Sequence, residues 1–545
     1  MKKLILPMVL GLGFLTSAQA RSVPGEVVVK IKPGQTQKFL AKKSSLGVQV
    51  KKSMKLLSGE FVVLRAKSKS ISSLLEELKR SPEVVYAEPN FLYQIQTPRS
   101  PDPLFGKLWG LLNTGNNEPG EDGEYTNSGG LLGADINAEN AWKITKGSKR
   151  IVVAVIDTGI DYTHPDLKEN LWVNQKEIKG NNLDDDGNGY VDDVHGWNAA
   201  ADTGDPMDGH SHGTHCAGTI GARHDNGIGV AGVMGEVSLM AVKFLTDEGS
   251  GSLEDAIEAI DYATKMNVDV MSNSWGGASS SQALEDAIKV ASERGILFVA
   301  AAGNSGTNND TTPNYPANLR IDNVISVAAH THGDSLADFS SFGKNTVHVA
   351  APGNNILSTT TGNTYKVYSG TSMATPHVAG VLGLYLSQVG RQDVGALRER
   401  LMATTVPSGA YRKSIMSGGR VDAYNFLTNT RLPRQTPEES SWKTENLSQI
   451  FETAHPYEND LRLSKTYTFP GAKYVKLVIE KFELEHNYDF LIIKDGRGAV
   501  LEKLTGKGAD FQTDYAETES ITVEFTSDSS EARFGAVIKK VKVIY

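Results

Sequence analysis

Cysteine is almost missing from this chain: Cys216 is the single example in 545 residues. No intrachain disulfide can form, so stability must come from buried apolar surface and bound ions. Cys216 follows His212 by four positions in a run of small residues, which predicts a buried structural thiol. Long apolar runs are missing as well. The longest, residues 4–15, is too short to span a bilayer. Lys2 and Lys3 precede it and Ala18-Gln19-Ala20 follow it, the pattern of a cleavable export signal over residues 1–20. The expectation is a secreted monomer, extracellular or periplasmic, with no stable membrane insertion. Excess positive charge is absent too: the net charge is −9, which excludes nucleic acid as the evident partner. Residues 21–98 depart from this, with 14 Lys/Arg against 6 Asp/Glu. A basic segment beside an acidic remainder points to packing of one on the other.

A chain of this length exceeds one hydrophobic core. Residues 21–98 read as a small α+β unit: extended runs at 23–31, 61–64 and 84–90, and helical spacing of Ile71, Leu74, Leu75 and Leu78. Residues 94–103, with Pro98, Pro101 and Pro103, read as an exposed connector. In residues 99–428, strand-like runs at 151–156, 237–243, 268–272, 296–301 and 324–328 alternate with helical patterns at 212–221, 253–266, 281–294 and 372–389. Such alternation predicts an α/β fold, a mostly parallel sheet with helices on both faces and functional groups at the carboxyl ends of its strands. Residues 429–440 are a linker carrying Pro433 and Pro437, and 441–545 turn all-β, with runs at 474–479, 490–493, 520–525 and 534–543.

Three stretches carry chemistry. Ile151-Val152-Val153-Ala154-Val155-Ile156-Asp157-Thr158-Gly159 is an apolar strand ending in a carboxylate. His210-Ser211-His212-Gly213-Thr214-His215 opens a small-residue helix, and Ser369-Gly370-Thr371-Ser372-Met373-Ala374 is a glycine turn presenting a serine at a helix start. Alone, the last would be a Ser/Thr cap. Together the three supply an orienter, a base and a nucleophile. His210, His212 and His215 also form a His-x-His-x-x-His set, so a metal-dependent hydrolase is an alternative. A catalytically inactive, exported binding or adhesion protein is another. Residues 182–193 place oxygen donors on alternate positions: Asp184, Asp186, Asn188 and the carbonyl of Tyr190. This is the first part of an EF-hand-type calcium loop, but His195 stands where the bidentate Glu belongs. Asp192 or Asp193 would have to close the site; otherwise the loop is a solvated acidic face.

In these motifs and their Asp, His, Ser order, the chain resembles the subtilisin-like serine proteases, or subtilases, over about residues 100–428. The resemblance implies a secreted serine endopeptidase that cleaves protein or peptide substrates through Asp157, His212, Ser372 and an acyl-enzyme. It makes residues 21–98 an inhibitor-like propeptide that aids folding, blocks the site and is removed autocatalytically. Ala300-Ala301-Ala302-Gly303-Asn304-Ser305-Gly306 resembles the oxyanion-hole stretch, with Asn304 as donor. Substrate would pair with Ser274-Trp275-Gly276-Gly277 and Gly249-Ser250-Gly251. Leu253 would border the fourth substrate pocket and Asn314, with Tyr315, the first, which implies a broad apolar or aromatic preference there. A second calcium site is implied at Asp166 and Asn226. Phe482-Glu483-Leu484-Glu485, Tyr488-Asp489-Phe490-Leu491 and Phe525-Thr526-Ser527-Asp528 resemble a CUB-type β-sandwich.

Overall fold

The computed structural model describes residues 22–41, 47–56, 58–66, 71–91, 101–120, 125–126, 130–433, 437–496, 498 and 500–545. The expected export signal and most of the expected connector lie outside the described residues. The chain separates into two compact units, Met1–Pro98 and Arg99–Tyr545.

In the first unit, β1 (Ser22–Ile31), β2 (Val48–Leu56), β3 (Gly59–Ala66) and β4 (Val84–Phe91) form an antiparallel sheet in the order β2-β3-β1-β4. Alternate residues Val27, Val29 and Ile31 of β1 are buried with Phe39 of α1 (Thr36–Leu40) and with Leu74 and Leu78 of α2 (Ile71–Lys79). Strand β2 was not foreseen, because only Val48 of its residues is buried and its exposed lysines hide the alternation.

The second unit is built on a nine-stranded sheet. Its central strands are β5 (Gly147–Asp157), β6 (Glu236–Lys243), β7 (Val270–Asn273), β8 (Leu297–Ala301), β9 (Val324–His330) and β10 (Val349–Pro352), all pairing in parallel. Only Val406–Pro407 runs antiparallel, against Gly419–Arg420 at one edge. Ile156 pairs with Asn273 and Asn273 with Ala300, so three strands end level with one another. That register decides which side chains can meet. On one face lie α3 (His212–Gly221) and α6 (Thr371–Val389). The second is apolar nearly all round and is correspondingly buried along almost its whole length. On the other face lie the amphipathic α4 (Leu253–Lys265) and α5 (Gln282–Glu293). Helix α4 starts at a capping box in which Ser252 and Asp255 exchange bonds.

The expected strand at 268–272 begins later, at Val270, because the Asp269 carboxylate accepts the Val152 N–H and so replaces a ladder bond. Strand β10 escaped the sequence reading: Val-Ala-Ala-Pro is short, small and without a period. Residues beyond 441 form two four-stranded antiparallel sheets, whose facing residues, among them Leu477, Ile479, Leu491 and Phe525, share one core. Among the described residues no helix is long and apolar enough to cross a membrane.

Candidate active site

Strand β5 ends at Asp157, which is fully buried. Its Oδ1 accepts the Thr158 N–H at 2.8 Å and lies 2.7 Å from His212 Nδ1. With Nδ1 donating to this carboxylate, the neutral imidazole keeps its lone pair on Nε2, the tautomer a general base needs. His212 is the first residue of α3, and the helix start is held by a second buried carboxylate, Asp208. Asp208 accepts from the Thr158 hydroxyl (2.9 Å), the N–H groups of His210 (2.8 Å), Ser211 (3.0 Å) and Thr214 (2.9 Å), and the Thr214 hydroxyl (2.6 Å). Thr158 in turn accepts the Gly213 N–H at 2.9 Å. A Cβ at Gly213 would sit 2.1 Å from the Gly159 carbonyl, so only glycine lets strand end and helix start approach this closely. Burial pulls the His212 pKa down, but the Asp157 charge and hydrogen bond, with Asp208 beyond, leave it raised. Cys216 is buried beside the pair and donates to the Ser372 carbonyl at 3.5 Å. Burial pushes its thiol well above the ordinary value, so it stays neutral.

The three histidines do not form one cluster. His215 is fully buried, its Nε2 set between the carbonyls of Ile356 (3.0 Å) and Lys366 (3.1 Å) and its ring stacked on Tyr368. Burial pushes its pKa down to about 3. His210 is exposed and its ring centroid is 6.3 Å from that of His212. The reason is the helix itself, which turns His215 inward while the Asp208-held turn leaves His210 outside.

Ser372 lies in the first turn of α6, so its backbone N–H is outside the helix ladder. Its Oγ donates to the Ser274 carbonyl at 3.0 Å, and Ser274 Oγ donates back to the Ser372 carbonyl at 2.8 Å. Gly370 does not make the sharp bend expected of it. Its backbone is extended, and its missing side chain instead leaves space in front of the Asn304 amide, 3.4 Å from where a Cβ would stand. Asn304 Oδ1 accepts both the N–H (2.8 Å) and the hydroxyl (2.9 Å) of Thr371. The carboxamide is thereby fixed with its NH₂ turned outward. It lines a cavity of about 420 Å³ together with Ser372, Ser274, Gly276, Gly303 and Asn314. Asn314 forms part of its wall between two glycines: a Cβ at Gly276 would come within 2.7 Å of the Asn314 amide nitrogen, and one at Gly303 within 3.3 Å.

A second cavity of about 710 Å³ runs from His212 between Gly249-Ser250-Gly251 and Trp275-Gly276-Gly277, with Leu253 exposed at its rim. Gly277 borders it, but its N–H and carbonyl are already exchanged with Tyr315, both at 2.8 Å. Gly277 is therefore not free to pair with a substrate strand, a correction to the sequence reading. Gly276 faces both cavities.

Residues 148–439, more than half of the chain, match the family model described as the subtilase family. The chain belongs to the subtilase family. Residues 14–90 match the fervidolysin N-terminal prodomain. The subtilase is 36% identical over 410 residues to the thermophilic serine proteinase of Bacillus sp. (strain AK1), spanning 74% of this chain and 88% of that protein. It is 38% identical over 294 residues to thermitase of Thermoactinomyces vulgaris, 54% of this chain and 93% of that one. To the major intracellular serine protease of Bacillus subtilis it is 42% identical over 255 residues, 46% and 73% of the two chains. It is a subtilisin-like serine protease with an N-terminal prodomain. Neither the metal-dependent hydrolase nor the inactive binding protein stands beside that.

The acidic loop of the subtilase closes differently from expectation. Asp184 accepts the N–H groups of Gly187, Asn188 and Gly189, and Asp186 that of Asn188. Carboxylate oxygens of Asp184, Asp186 and Glu177 lie within 4.8 Å of one another. Asp192 instead caps the N–H groups of Gly180, Asn181 and Asn182. Asp193 is buried on the Asn174 and Asn188 amides and the Tyr262 hydroxyl, and the Tyr190 ring packs on Trp197 and Tyr262. Glu177, and neither Asp192 nor Asp193, is thus the carboxylate that stands with Asp184 and Asp186. At the other expected site, buried Asp166 accepts from the Asn226 amide (2.7 Å), Val230 N–H (2.9 Å) and Tyr365 hydroxyl (3.2 Å). Burial pushes its pKa up to about 6. Buried Asp102, close by, takes the N–H groups of Asp225, Asn226 and Gly227. Asp208, Glu177 and Asp102 are the residues sequence reasoning missed. Only Asp208 had a local signal, an acidic residue just before a helix start.

Proposed function

We propose that this subtilase is an exported endopeptidase acting through Asp157, His212 and Ser372. The observation that carries the reading is the Asp157–His212 contact at 2.7 Å, with His212 on a cavity that shares Ser274, Trp275 and Gly276 with the one lined by Ser372 and the outward amide of Asn304. Ser372 Oγ attacks the scissile carbonyl and its proton passes to His212 Nε2; the developing imidazolium is stabilised by Asp157. The oxyanion takes hydrogen bonds from Asn304 Nδ2 and the Ser372 N–H. His212 then delivers the proton to the leaving amine, and a water, deprotonated the same way, releases the acyl group from Ser372.

A neutral Asn314 between glycine walls supports apolar or aromatic side chains on the acyl side of the cleaved bond. Residues 21–98 act as intramolecular inhibitor and folding aid, removed autocatalytically, 99–428 as catalytic domain and 441–545 as a CUB-like sandwich after a linker at 429–440. The mature protein is a secreted monomer acting on proteins or peptides. Two groups of hard oxygen donors fit calcium: Glu177, Asp184 and Asp186, together with Asn188 and the Tyr190 carbonyl of the same loop, and Asp166 with Asp102 and Asn226. The ion would neutralise repulsion among these carboxylates and hold the loops in place. Ser372→Ala tests the reading. It should lower kcat by about 10⁴-fold or more and leave the prosegment attached, as read by intact mass. A variant that still trims itself at the same bond would overturn the autocatalytic scheme.

A further inference from the structure

The short helix α7 (Gly409–Arg412) faces two ways. Inward, Tyr411 is fully buried in a small core with Ala302, Ala328, Val347, Ala350 and Ile415, and its hydroxyl donates to Asp334 at 2.8 Å. Ala302 immediately precedes Gly303 and Asn304. The loop after it is zipped to residues 339–342: Gly306 N–H to the Phe339 carbonyl at 2.8 Å, Ser341 N–H to that of Gly303 at 2.9 Å, Phe342 N–H to that of Thr307 at 3.0 Å. Outward, the same helix holds the C-terminal sandwich. A Cβ at Gly409 would lie 2.4 Å from the Leu501 methyl, so the backbone there is pressed against the sandwich. The Arg412 guanidinium stacks 3.5 Å over Tyr515 and donates to Asp514 at 2.6 Å and Glu517 at 2.8 Å. Lys413 reaches Glu502 at 2.6 Å. From the sandwich, Lys503 reaches Asp338 at 2.8 Å, next to the residue whose carbonyl holds Gly306.

We propose that the C-terminal sandwich is a brace for the loop bearing Asn304: docked on α7 and Asp338, it fixes the small core beneath that loop and so positions the oxyanion donor. The proposal rests on the reading of Asn304 as that donor. Exposed ion pairs contribute little by themselves. Here the weight falls on Arg412, whose partner Asp514 is only 6% exposed and whose charged plane also lies on an aromatic ring. Tyr411, next to Arg412 in the chain, shares one small core with Ala302, and Ala302 leads along the backbone through Gly303 to Asn304. Coupling of this kind needs such a contiguous path and has to be measured as an interaction between sites.

The test uses the full-length enzyme, a short chromogenic peptide amide and rates per active site titrated with a serine-directed fluorophosphonate. Titration removes misfolded protein from the comparison. Arg412→Glu, and Asp514→Lys from the sandwich side, should each lower kcat about tenfold while KM stays within about twofold. The pair Arg412→Glu with Asp514→Arg should recover most of the loss. In an Asn304→Ala background the same substitutions should change kcat less than about twofold, because the group they position is gone. Unchanged kcat in both single variants, or an equal loss in the Asn304→Ala background, would overturn the brace. If Asn304→Ala alone left kcat unchanged, the oxyanion reading would fail and the brace with it. A change confined to KM for whole-protein substrates would mean that the sandwich gathers substrate instead.

Discussion

His212 lies beside two buried carboxylates, Asp157 bonded to it directly and Asp208 holding the turn it grows from. Both charges favour the imidazolium, and against the opposing effect of burial they leave its pKa above the ordinary 6.5. The base must be unprotonated to act, so kcat/KM should rise with pH through a midpoint above 6.5. Asp208→Asn removes one of the two charges, with little change of shape. Its acid limb should move to lower pH, while kcat falls because Thr158 and Thr214 lose part of their anchor. A pH–rate profile checks both; an unmoved midpoint would leave Asp208 as a helix cap and nothing more.

At the scale of elements, the loop between Glu177 and Asp193 is where charge is most crowded. Like charges at such spacing repel unless a cation or backbone N–H groups answer them. Asp192, Asp184 and Glu177 are each answered by three backbone N–H groups and Asp186 by one, but only Glu177, Asp184 and Asp186 also bring carboxylate oxygens within 4.8 Å of one another. Removing calcium should therefore lower the Tm of the folded protein, since an ion held 100-fold above its Kd stabilises by about 2.7 kcal/mol. Glu177→Gln should shrink the chelator-induced shift, and Asp192→Asn should leave it nearly whole. Thermal scans with and without chelator decide this, and an equal effect of both substitutions would return the loop to a solvated acidic face.

For the whole molecule, the relevant feature is the number of neutral histidines sealed inside. Burial pushes His215, His330 and His348 down to about 3 and His224 and His377 to about 4. In the unfolded chain each would titrate near 6.5, so between about 6.5 and 4 the unfolded state binds more protons and stability falls as the pH falls. Asp135 and Asp166 oppose this. Burial holds both carboxyls up to about 6, so the folded state keeps protons there that the unfolded chain gives up, and their contribution grows as the pH falls. Five imidazoles against these two carboxyls set the direction. Urea unfolding of the Ser372→Ala protein, which cannot digest itself, should show a midpoint that drops steadily from pH 7 to 4.5. A flat midpoint would refute it.

The residues proposed to react could be picked out of the sequence because each sits at a place the local chain defines. Asp157 ends an apolar strand, and His212 and Ser372 open helices whose small or apolar residues allow only burial; α3 runs over His212–Gly221 as its pattern predicts. Such signals arise within a few residues, from periodicity and from what the backbone allows. Strand β10 and the lysine-rich β2 carry no such pattern, so only their neighbours in the sheet make them strands. The supporting residues belong to tertiary structure for the same reason. Glu177 meets Asp184 and Asp186 by loop closure, Gly277 spends its backbone on Tyr315, and Arg412 finds Asp514 102 positions further along the chain. Local chemistry singles out Asp157, His212 and Ser372 as candidates; the packing of distant segments decides what holds them in reach, because a hydrogen bond or ion pair depends on separation in space and not along the chain.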